Sequence, residues 1–405
     1  MPDVVIIGAG PAGSVAAALL ANRGWRVEVF EHTHFPRFSI GESLLPQCME
    51  WLDEAGLLHA VVESGFQHKN GAIFQWGDRQ ETFDFREKVS AGWGTTYQVR
   101  RDKFDQVLSN GARSAGAQIH FGHRVVAMQP DDTSPRVTVE DELGDRREVE
   151  ARFVLDGSGF GRVLSRLLDL ELPSRFPPRM ALFWHVADRV SVRDYDRDKI
   201  LISINPINPE IWYWMIPLAG GMTSVGVVGQ PTHIEPHGSS DNERFSALVQ
   251  ESGLMATLLA DAEPIRDVGR ISGYACRVKQ LSGPGYALLG NAGEFLDPIF
   301  SSGVTIALKS ASLAAKAVDR HLKSESPDWE GEFAKPLMRG VDTFRAHVAA
   351  WYDGSLQKII FHHPEETGQI KRMLTSVLAG YAWDQANPFV RRPEASLERV
   401  AALCG

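Results

Sequence analysis

The chain begins with a glycine pattern that could hold a phosphate-containing cofactor. A full G-x-G-x-x-G is formed by Gly8, Ala9, Gly10, Pro11, Ala12 and Gly13. Glycines at this spacing let the backbone approach a pyrophosphate, and the free N–H groups of a helix that starts there face its negative charge. Further along, Glu31 could accept hydrogen bonds from ribose hydroxyls and would repel a 2′-phosphate. The pattern therefore predicts a dinucleotide site that disfavours NADP.

A β-turn-α-β unit is needed to position these residues, and the flanking sequence predicts one. The apolar run 4–7 is typical of a buried strand, residues 14–22 are rich in Ala and Leu and predict a helix, and residues 25–30 alternate like a second strand. A glycine-rich turn without a ligand is the alternative. The complete set of two strands, helix and acid favours the dinucleotide site.

Lys69 is the side chain with the strongest context for catalysis. It lies in a Lys-x-Gly-Ala-x-Phe sequence, just before a predicted turn at Asn70-Gly71 that is followed by a predicted strand. A lysine beside an apolar strand loses hydration, which makes its amine more reactive. The alternative is a surface lysine in a turn at Asn70-Gly71.

Composition excludes several classes of function. The 405 residues carry a net charge of −9, which argues against nucleic acid as a partner. Cys48, Cys276 and Cys404 lie far apart, as expected in a reducing cytoplasm rather than in a disulfide framework. His120 and His123 have no third ligand near them in the sequence, so no metal site is expected. We also expect no signal peptide and no membrane span, and hence a cytoplasmic protein.

The remaining chain predicts a mixed α/β protein with interleaved domains. Strands or strand groups are predicted at 97–101, 118–154, 181–228 and 286–289. Helices are predicted at 47–58, 102–115, 241–259 and 304–322, and residues 329–405 are mostly helical in pattern. We find no internal repeat and no low-complexity linker.

Three glycine-containing motifs make the chain resemble the FAD-dependent oxidoreductases built like p-hydroxybenzoate hydroxylase. They are the G-x-G-x-x-G, the central Asp156-Gly157 and the late Gly290-Asn291, in which Asn291 replaces the usual acid. The resemblance implies a Rossmann-like FAD-binding domain, an interleaved antiparallel-sheet substrate domain and a helical C-terminal region. The implied segments are 1–75, 97–175 and 266–328 for the FAD domain, 76–96 and 176–265 for the substrate domain, and 329–405 for the helical region.

Within that superfamily, residues 1–320 look like a flavin-dependent halogenase. Three motifs carry the resemblance: 35–37 with 41–46, the W-x-W-x-I-P at 212–217, and the F-x-x-P-x-x-S-x-G at 295–303. The glycine that usually precedes the second motif is absent, because Glu210-Ile211 stands there.

The resemblance implies roles for individual residues. Cofactor contacts are expected at Gly8, Gly10, Pro11, Ala12, Gly13, Glu31, Arg37, Glu42, Ser43, Arg101, Asp156, Gly290, Asn291, Pro298, Gly303 and Val304. Trp212 and Trp214, which share a strand face with Ile216, would wall the flavin off from the substrate. The alternative is that these tryptophans only fill a core. Lys69 would polarise hypohalous acid and steer it to the substrate.

The loop 295–303 suggests a halide site. It lies between a predicted strand and a predicted helix, so Ser302 and Gly303 could supply donors for chloride or bromide. The alternative is a loop that only holds the flavin ring, as in hydroxylases. Phe300 is expected in the wall of the substrate pocket, together with Trp212 and Trp214. It stands where tryptophan halogenases carry a glutamate, which disfavours free tryptophan as the substrate.

The predicted function is halogenation of an electron-rich phenol or pyrrole in secondary metabolism. The substrate would be either free or tethered to an acyl carrier protein. Reduced FAD would come from a separate flavin reductase, because the chain has one dinucleotide fingerprint. The alternatives are an FAD-dependent aromatic monooxygenase, which would consume NAD(P)H directly, and a non-catalytic flavoprotein, which would consume no oxygen with any reductant.

Overall fold

The computed structural model describes residues 1–190, 193–362 and 368–404. Strands and helices are interleaved, which confirms the predicted α/β class with an FAD-binding fold. The strands are β1 Val4–Ile7, β2 Val27–Glu31, β3 Gln67–Lys69, β4 Gly71–Trp76, β5 Arg79–Asp84, β6 Thr96–Gln98, β7 Gln118–Phe121, β8 Arg124–Gln129, β9 Arg136–Glu140, β10 Arg146–Glu150, β11 Phe153–Asp156, β12 Glu171–Leu172, β13 Met180–Ala187, β14 Lys199–Ile204, β15 Trp212–Leu218, β16 Met222–Gly229, β17 Glu263–Pro264, β18 Gly269–Ser272, β19 Arg277–Val278, β20 Ser282–Gly283 and β21 Tyr286–Leu288. The α-helices are α1 Pro11–Ala21, α2 Cys48–Glu54, α3 Leu58–Val62, α4 Arg101–Ser114, α5 Val163–Leu167, α6 Pro231–Ile234, α7 Asp241–Gln250, α8 Leu254–Leu258, α9 Ser302–Leu322, α10 Lys335–Tyr352, α11 Ser355–Ile360, α12 Gly368–Leu378, α13 Pro388–Arg391 and α14 Pro393–Leu403.

The first sheet brings the carboxyl ends of its central strands together. Its order is β20-β21-β11-β1-β2-β7, and β21 through β7 run parallel. The central strands are buried apolar runs, and α1 packs against α9 beside them. Ile7 pairs with Asp156 on one side and with Phe30 on the other, so the chain leaves all three strands at one edge. Ligands bind at this edge in open α/β sheets.

The second sheet contributes the wall that faces this edge. Its order is β17-β13-β16-β15-β14-β4-β5, with β18 also paired to β13. Neighbours are antiparallel except β14 and β4, which run parallel. Along β15 the side chains alternate between two cores, with Trp212 and Trp214 in one and Tyr213 and Met215 in the other.

The C-terminal helix α10 packs on the face of the second sheet that also carries Trp212 and Trp214. The ring of Trp351 in α10 lies 5.9 Å from that of Phe74 in β4, and both side chains are buried. None of the helices in the described part of the chain has the length and apolar character needed to cross a membrane.

Several predicted boundaries differ from the structure. The predicted helix 47–58 is divided between α2 and α3, and 241–259 is divided at Gly253, whose φ of +66° ends helical backbone. The predicted strand 97–101 is shorter, because α4 already begins at Arg101. The division into domains stays a prediction. The predicted domain boundary between residues 75 and 76 would cut strand β4. Strand β18 pairs with the second sheet, although the predicted FAD domain includes residues 266–328.

Candidate active site

A cavity of about 750 Å³ lies where the two sheets face each other. Its wall includes most of the predicted cofactor and pocket residues: Gly8, Gly10, Pro11, Ala12, Glu31, Arg37, Glu42, Ser43, Arg101, Trp212, Trp214, Asn291, Pro298, Gly303 and Val304. They come from both sheets and from the loops at the carboxyl edge of the first sheet. Their assembly around one space makes this cavity the candidate active site.

The glycines of the first turn serve two different purposes. A Cβ on Gly13 would lie 1.9 Å from the carbonyl oxygen of Gly8, and one on Gly8 would lie 2.8 Å from that of Gly157. These two positions therefore allow strand, helix and loop to pack closely. A Cβ on Gly10 would meet only the Arg37 guanidinium, at 3.5 Å, so Gly10 leaves open space for a ligand.

Glu31 is held ionised at the end of β2. Burial alone would raise its pKa, but hydrogen bonds from His32, the Ala9 amide and Thr33, together with the charge of Arg37, lower the pKa to about 2. A carboxylate held ionised at this position is able to accept ribose hydroxyl hydrogens, and that contact stays a prediction.

Two arginines of the cavity share one buried carboxylate. Arg101 makes a bidentate contact with Asp105, and Arg37 lies 3.1 Å from the same group. Arg101 also donates to the carbonyl oxygen of Ile40 at 2.6 Å. Asp105 is fully buried and keeps both guanidinium groups at the cavity wall, where they can face phosphate oxygens.

The loop before α9 brings backbone donors to the cavity. Ser301 has left-handed backbone with φ of +53°, and α9 begins at the next residue. Ser301, Gly303 and Val304 line the cavity, so the first turn of a 21-residue helix points its free N–H groups there. The side chain of Ser302 is buried outside the wall.

Two buried acceptors in the wall have no hydrogen-bond partner among the described residues: Oε2 of Glu42 and Oδ1 of Asn291. The other oxygen of Glu42 contacts Nε2 of His185 at 2.7 Å. Buried acceptors are normally satisfied, and FAD carries ring N–H and ribityl hydroxyl donors. The residues therefore fit this cofactor.

The tryptophan face of β15 forms the wall opposite the glycine turn. Trp212, Trp214 and Ile216 all line the cavity, as the period of two predicts. Trp212 donates to the hydroxyl of Tyr352 at 3.0 Å, and Trp214 donates to Ser224 at 3.2 Å. These bonds hold both indole rings in place.

Lys69 is buried one side chain behind the cavity. Its amine donates to the Ser43 hydroxyl at 2.6 Å and to the Leu44 carbonyl at 2.9 Å, and the Phe85 ring lies 5.2 Å away. Burial lowers the pKa of Lys69 to about 7. The surface-turn alternative is wrong, because the side chain is fully buried.

Other predicted site residues also lie outside the cavity wall: Gly13, Asp156, Gly290, Phe300 and Ser302. The carboxylate of Asp156 accepts from the Ser158 and Leu164 amides, so it shapes the loop beside the cavity instead of facing it. Gly290 packs against Ala307 of α9. The Phe300 ring lies edge-on to His347 and Trp351, 6.4 Å from each.

Comparison with known proteins identifies the family. A model described as an FAD binding domain matches residues 1–265. Over 376 residues the chain is 32% identical to the 1H-pyrrole-2-carbonyl-(peptidyl-carrier protein) chlorinase of Pseudomonas fluorescens, which covers 87% of this chain and 82% of the chlorinase. The chain belongs to the flavin-dependent halogenases.

Further relatives extend this result. The halogenase is 30% identical over 341 residues to the tryptophan 2-halogenase of Chondromyces crocatus, covering 80% of this chain and 62% of that one. It superposes on a flavoprotein/dehydrogenase from Cytophaga hutchinsonii with a TM-score of 0.96 and 42% identity, over 100% of this chain and 98% of that chain. The myxobacterial chondrochloren halogenase gives a TM-score of 0.80 and 25% identity, over 100% and 97% of the chains.

Family membership confirms the central predictions from sequence. The halogenase is an FAD-dependent enzyme of the oxidoreductase type that uses halide to halogenate aromatic substrates, and a hydroxylase is less favoured.

Among the described residues, no group of three or more His, Cys, Asp and Glu side chains could hold a metal ion.

Sequence reasoning missed three residues that organise the halogenase site. Asp105 lies on the predicted helix 102–115, but its pairing with Arg101 four residues earlier follows only once the helix begins at Arg101 instead of 102. His185 and Tyr352 had no signal, since they reach Glu42 and Trp212 from distant parts of the chain.

Proposed function

We propose that Lys69 transfers the halogen to an electron-rich phenol or pyrrole. When bound, reduced FAD and dioxygen supply the oxidant for the halide. With a pKa of about 7, a fraction of Lys69 is free amine at neutral pH, and its nitrogen can take the halogen from hypohalous acid as the halogen–oxygen bond breaks and water leaves. The remainder is an ammonium that can donate a hydrogen bond to the oxygen of hypohalous acid. The hydrogen bond from Lys69 to Ser43 carries this proposal, because it joins the amine to the cavity wall.

Halide is proposed to bind at the start of α9, near Ser302 and Gly303. The free N–H groups of the first turn favour an anion. The Ser302 side chain is buried away from the cavity, so we assign the contact to backbone donors and to Ser301, which lines the wall.

We infer the substrate class from the apolar surroundings of Lys69 and of the motif before α9. No carboxylate of the described residues forms an ion pair with Lys69, and the aromatic ring of Phe85 lies beside it. Phe300 stands where the family resemblance places the glutamate of tryptophan halogenases, so this position supplies no acid, although its ring packs on His347 and Trp351 outside the cavity wall. An uncharged aromatic ring suits this environment better than an amino acid. The 32% identical chlorinase acts on a carrier-bound pyrrole, so a pyrrole on a carrier protein is the first form to test.

A separate flavin reductase is proposed as the functional partner. The glycine turn at Gly8 to Gly13 would hold FAD, and the chain has one such dinucleotide fingerprint. No second fingerprint remains for the nicotinamide cofactor that would reduce the flavin. We also propose a cytoplasmic location, on the ground that Cys48, Cys276 and Cys404 are free thiols.

The deciding experiment supplies the enzyme with FAD, a flavin reductase, NADH, oxygen and bromide. Phenols, free pyrrole-2-carboxylate and the same pyrrole on a carrier protein are then compared by mass spectrometry. We expect brominated product, recognised by its paired isotope peaks, from at least one phenol or pyrrole. Hydroxylated product without halogen would overturn the proposal.

A further inference from the structure

A second, smaller pocket of about 270 Å³ lies on the other side of the loop that precedes α9. Its wall includes Phe176, Pro177, Pro178, Arg179, Tyr274 and Asp297. Neighbouring residues of one loop divide the two spaces, since Phe295 and Pro298 face the FAD cavity and Leu296 and Asp297 face the second pocket. A ligand in the second pocket would therefore be separated from the cofactor.

Arg179 gives this pocket a positive charge that no carboxylate of the described residues meets within ion-pair distance. The residue is 6% exposed, and its Nε and Nη1 have no hydrogen-bond partner among the described residues. Its guanidinium lies over the Tyr352 ring, 3.4 Å from the centroid. Stacking uses the face of the guanidinium and leaves the in-plane N–H donors unsatisfied. A buried guanidinium in this state favours an anionic acceptor.

Burial raises the pKa of Asp297, the acid in the pocket, and Arg179 is near enough for its charge to act against that rise. Asp297 nevertheless makes its hydrogen bonds to other groups. Oδ1 of Asp297 accepts from the Ile299 amide, and Oδ2 accepts from the Tyr352 hydroxyl at 2.9 Å. No ion pair within 4.0 Å joins Arg179 to Asp297 in the described part of the chain. The hydroxyl of Tyr274, which is 5% exposed, faces the same carboxylate of Asp297.

The remaining wall is suited to a flat apolar body. Phe176 and Tyr274 supply rings, and Pro177, Pro178 and Leu296 supply aliphatic surface. A lone halide would leave most of about 270 Å³ unfilled, whereas one aromatic ring occupies a space of this order.

We propose that this pocket binds a free aromatic carboxylate of one ring, with the carboxylate on the Arg179 fork and the ring between Phe176 and Tyr274. A carboxylate matches the planar donors of arginine in a bidentate way. A thioester on a carrier protein lacks that anion, so the pocket selects the free acid. Binding here does not depend on the halogen transfer proposed above.

The test measures binding of benzoate to the FAD-loaded enzyme by calorimetry. We expect one benzoate per chain, affinity for neutral benzamide at least tenfold weaker, and no displacement of benzoate by bromide. Arg179→Gln should weaken benzoate binding tenfold or more while FAD content stays unchanged. Arg277→Gln is the matched control, because Arg277 donates to the Pro173 carbonyl beside the pocket but is outside its wall.

Equal benzoate binding by wild type and Arg179→Gln would overturn the proposal, as would absence of binding or one-for-one displacement by bromide. If Arg179→Gln fails to fold, Tyr274→Phe and Phe176→Ala take its place. Tyr274→Phe keeps the ring and removes one donor, and Phe176→Ala removes one wall on an exposed segment. Both should weaken benzoate, and unchanged affinity in both would refute the site.

Discussion

The amine of Lys69 lies 2.6 Å from the hydroxyl of Ser43, and Ser43 is part of the wall of the FAD cavity. The two residues come from different motifs, one before β4 and one in the loop that follows β2. Their hydrogen bond places a buried amine with a lowered pKa next to the cofactor space without exposing it there.

Lys69→Ala should uncouple oxygen consumption from halogenation. Reaction of oxygen belongs to the reduced flavin, so oxygen uptake and FAD binding should persist. Brominated product should fall by a factor of roughly 10² to 10³, the usual effect of removing a donor aimed at developing charge. Lys69→Arg should not rescue it, because guanidinium keeps its proton.

Lys199→Ala is the matched control for that experiment. Lys199 is also buried, but its amine is held by Asn70 and by an ion pair with Asp196. This substitution should lower stability and leave bromination per folded enzyme intact. Bromination by Lys69→Ala at the wild-type rate would remove Lys69 from the mechanism.

Stability should depend on pH through Lys69. Its pKa is about 7 in the folded protein and 10.5 when unperturbed, so the unfolded chain binds more protons between these values. The free energy of unfolding should therefore rise with pH across this window, by up to about 1.4 kcal/mol per pH unit from this group. Urea unfolding of wild type and Lys69→Met at several pH values isolates the contribution. Parallel pH profiles would contradict the lowered pKa.

Two glycine variants should distinguish a glycine that leaves space for the ligand from one that the packing of the fold requires. Gly10→Val should fold and lose FAD, because its side chain enters the open side of the turn. Gly13→Val should fail to fold, because the Cβ would overlap the Gly8 carbonyl. Flavin absorbance and thermal melting distinguish the outcomes, and wild-type FAD affinity in Gly10→Val would refute the cofactor position.

Direct oxidation of NADH or NADPH by the purified enzyme should be slow. The glycine turn that could hold a nicotinamide cofactor lines the FAD cavity, and Trp212 with Trp214 closes the opposite wall. Adding a flavin reductase should restore turnover in a coupled absorbance assay. Fast NADPH oxidation stimulated by an aromatic substrate would instead favour the hydroxylase.

Asp156→Ala should reduce stability more than it alters the cofactor contacts. The substitution removes the acceptor of the Ser158 and Leu164 amides, at a cost of about 3 kcal/mol for two charge-assisted bonds. FAD affinity, measured at a temperature where the variant is folded, should change by less than about tenfold, which is 1.4 kcal/mol. Complete loss of FAD from the folded variant would contradict this prediction and would indicate that Asp156 contacts the cofactor directly.

The sequence by itself determined the features that depend on local spacing. Short-range stereochemistry and periodicity predict three such features. They are the glycine turn with Glu31, the shared strand face of Trp212 and Trp214, and the helix that starts beside Gly303. The family motifs indicated that the cofactor is a flavin and that the enzyme uses halide. Each of these features is set within a few residues of chain.

Only the tertiary structure decided how separate segments meet. It turned Asp156 toward backbone amides, buried Ser302 outside the cavity, and brought His185 to Glu42 and Tyr352 to Trp212. It also left Arg179 buried beside a second pocket. Which side of a loop a side chain faces depends on competition for donors and space among residues distant in sequence. No local pattern records that competition.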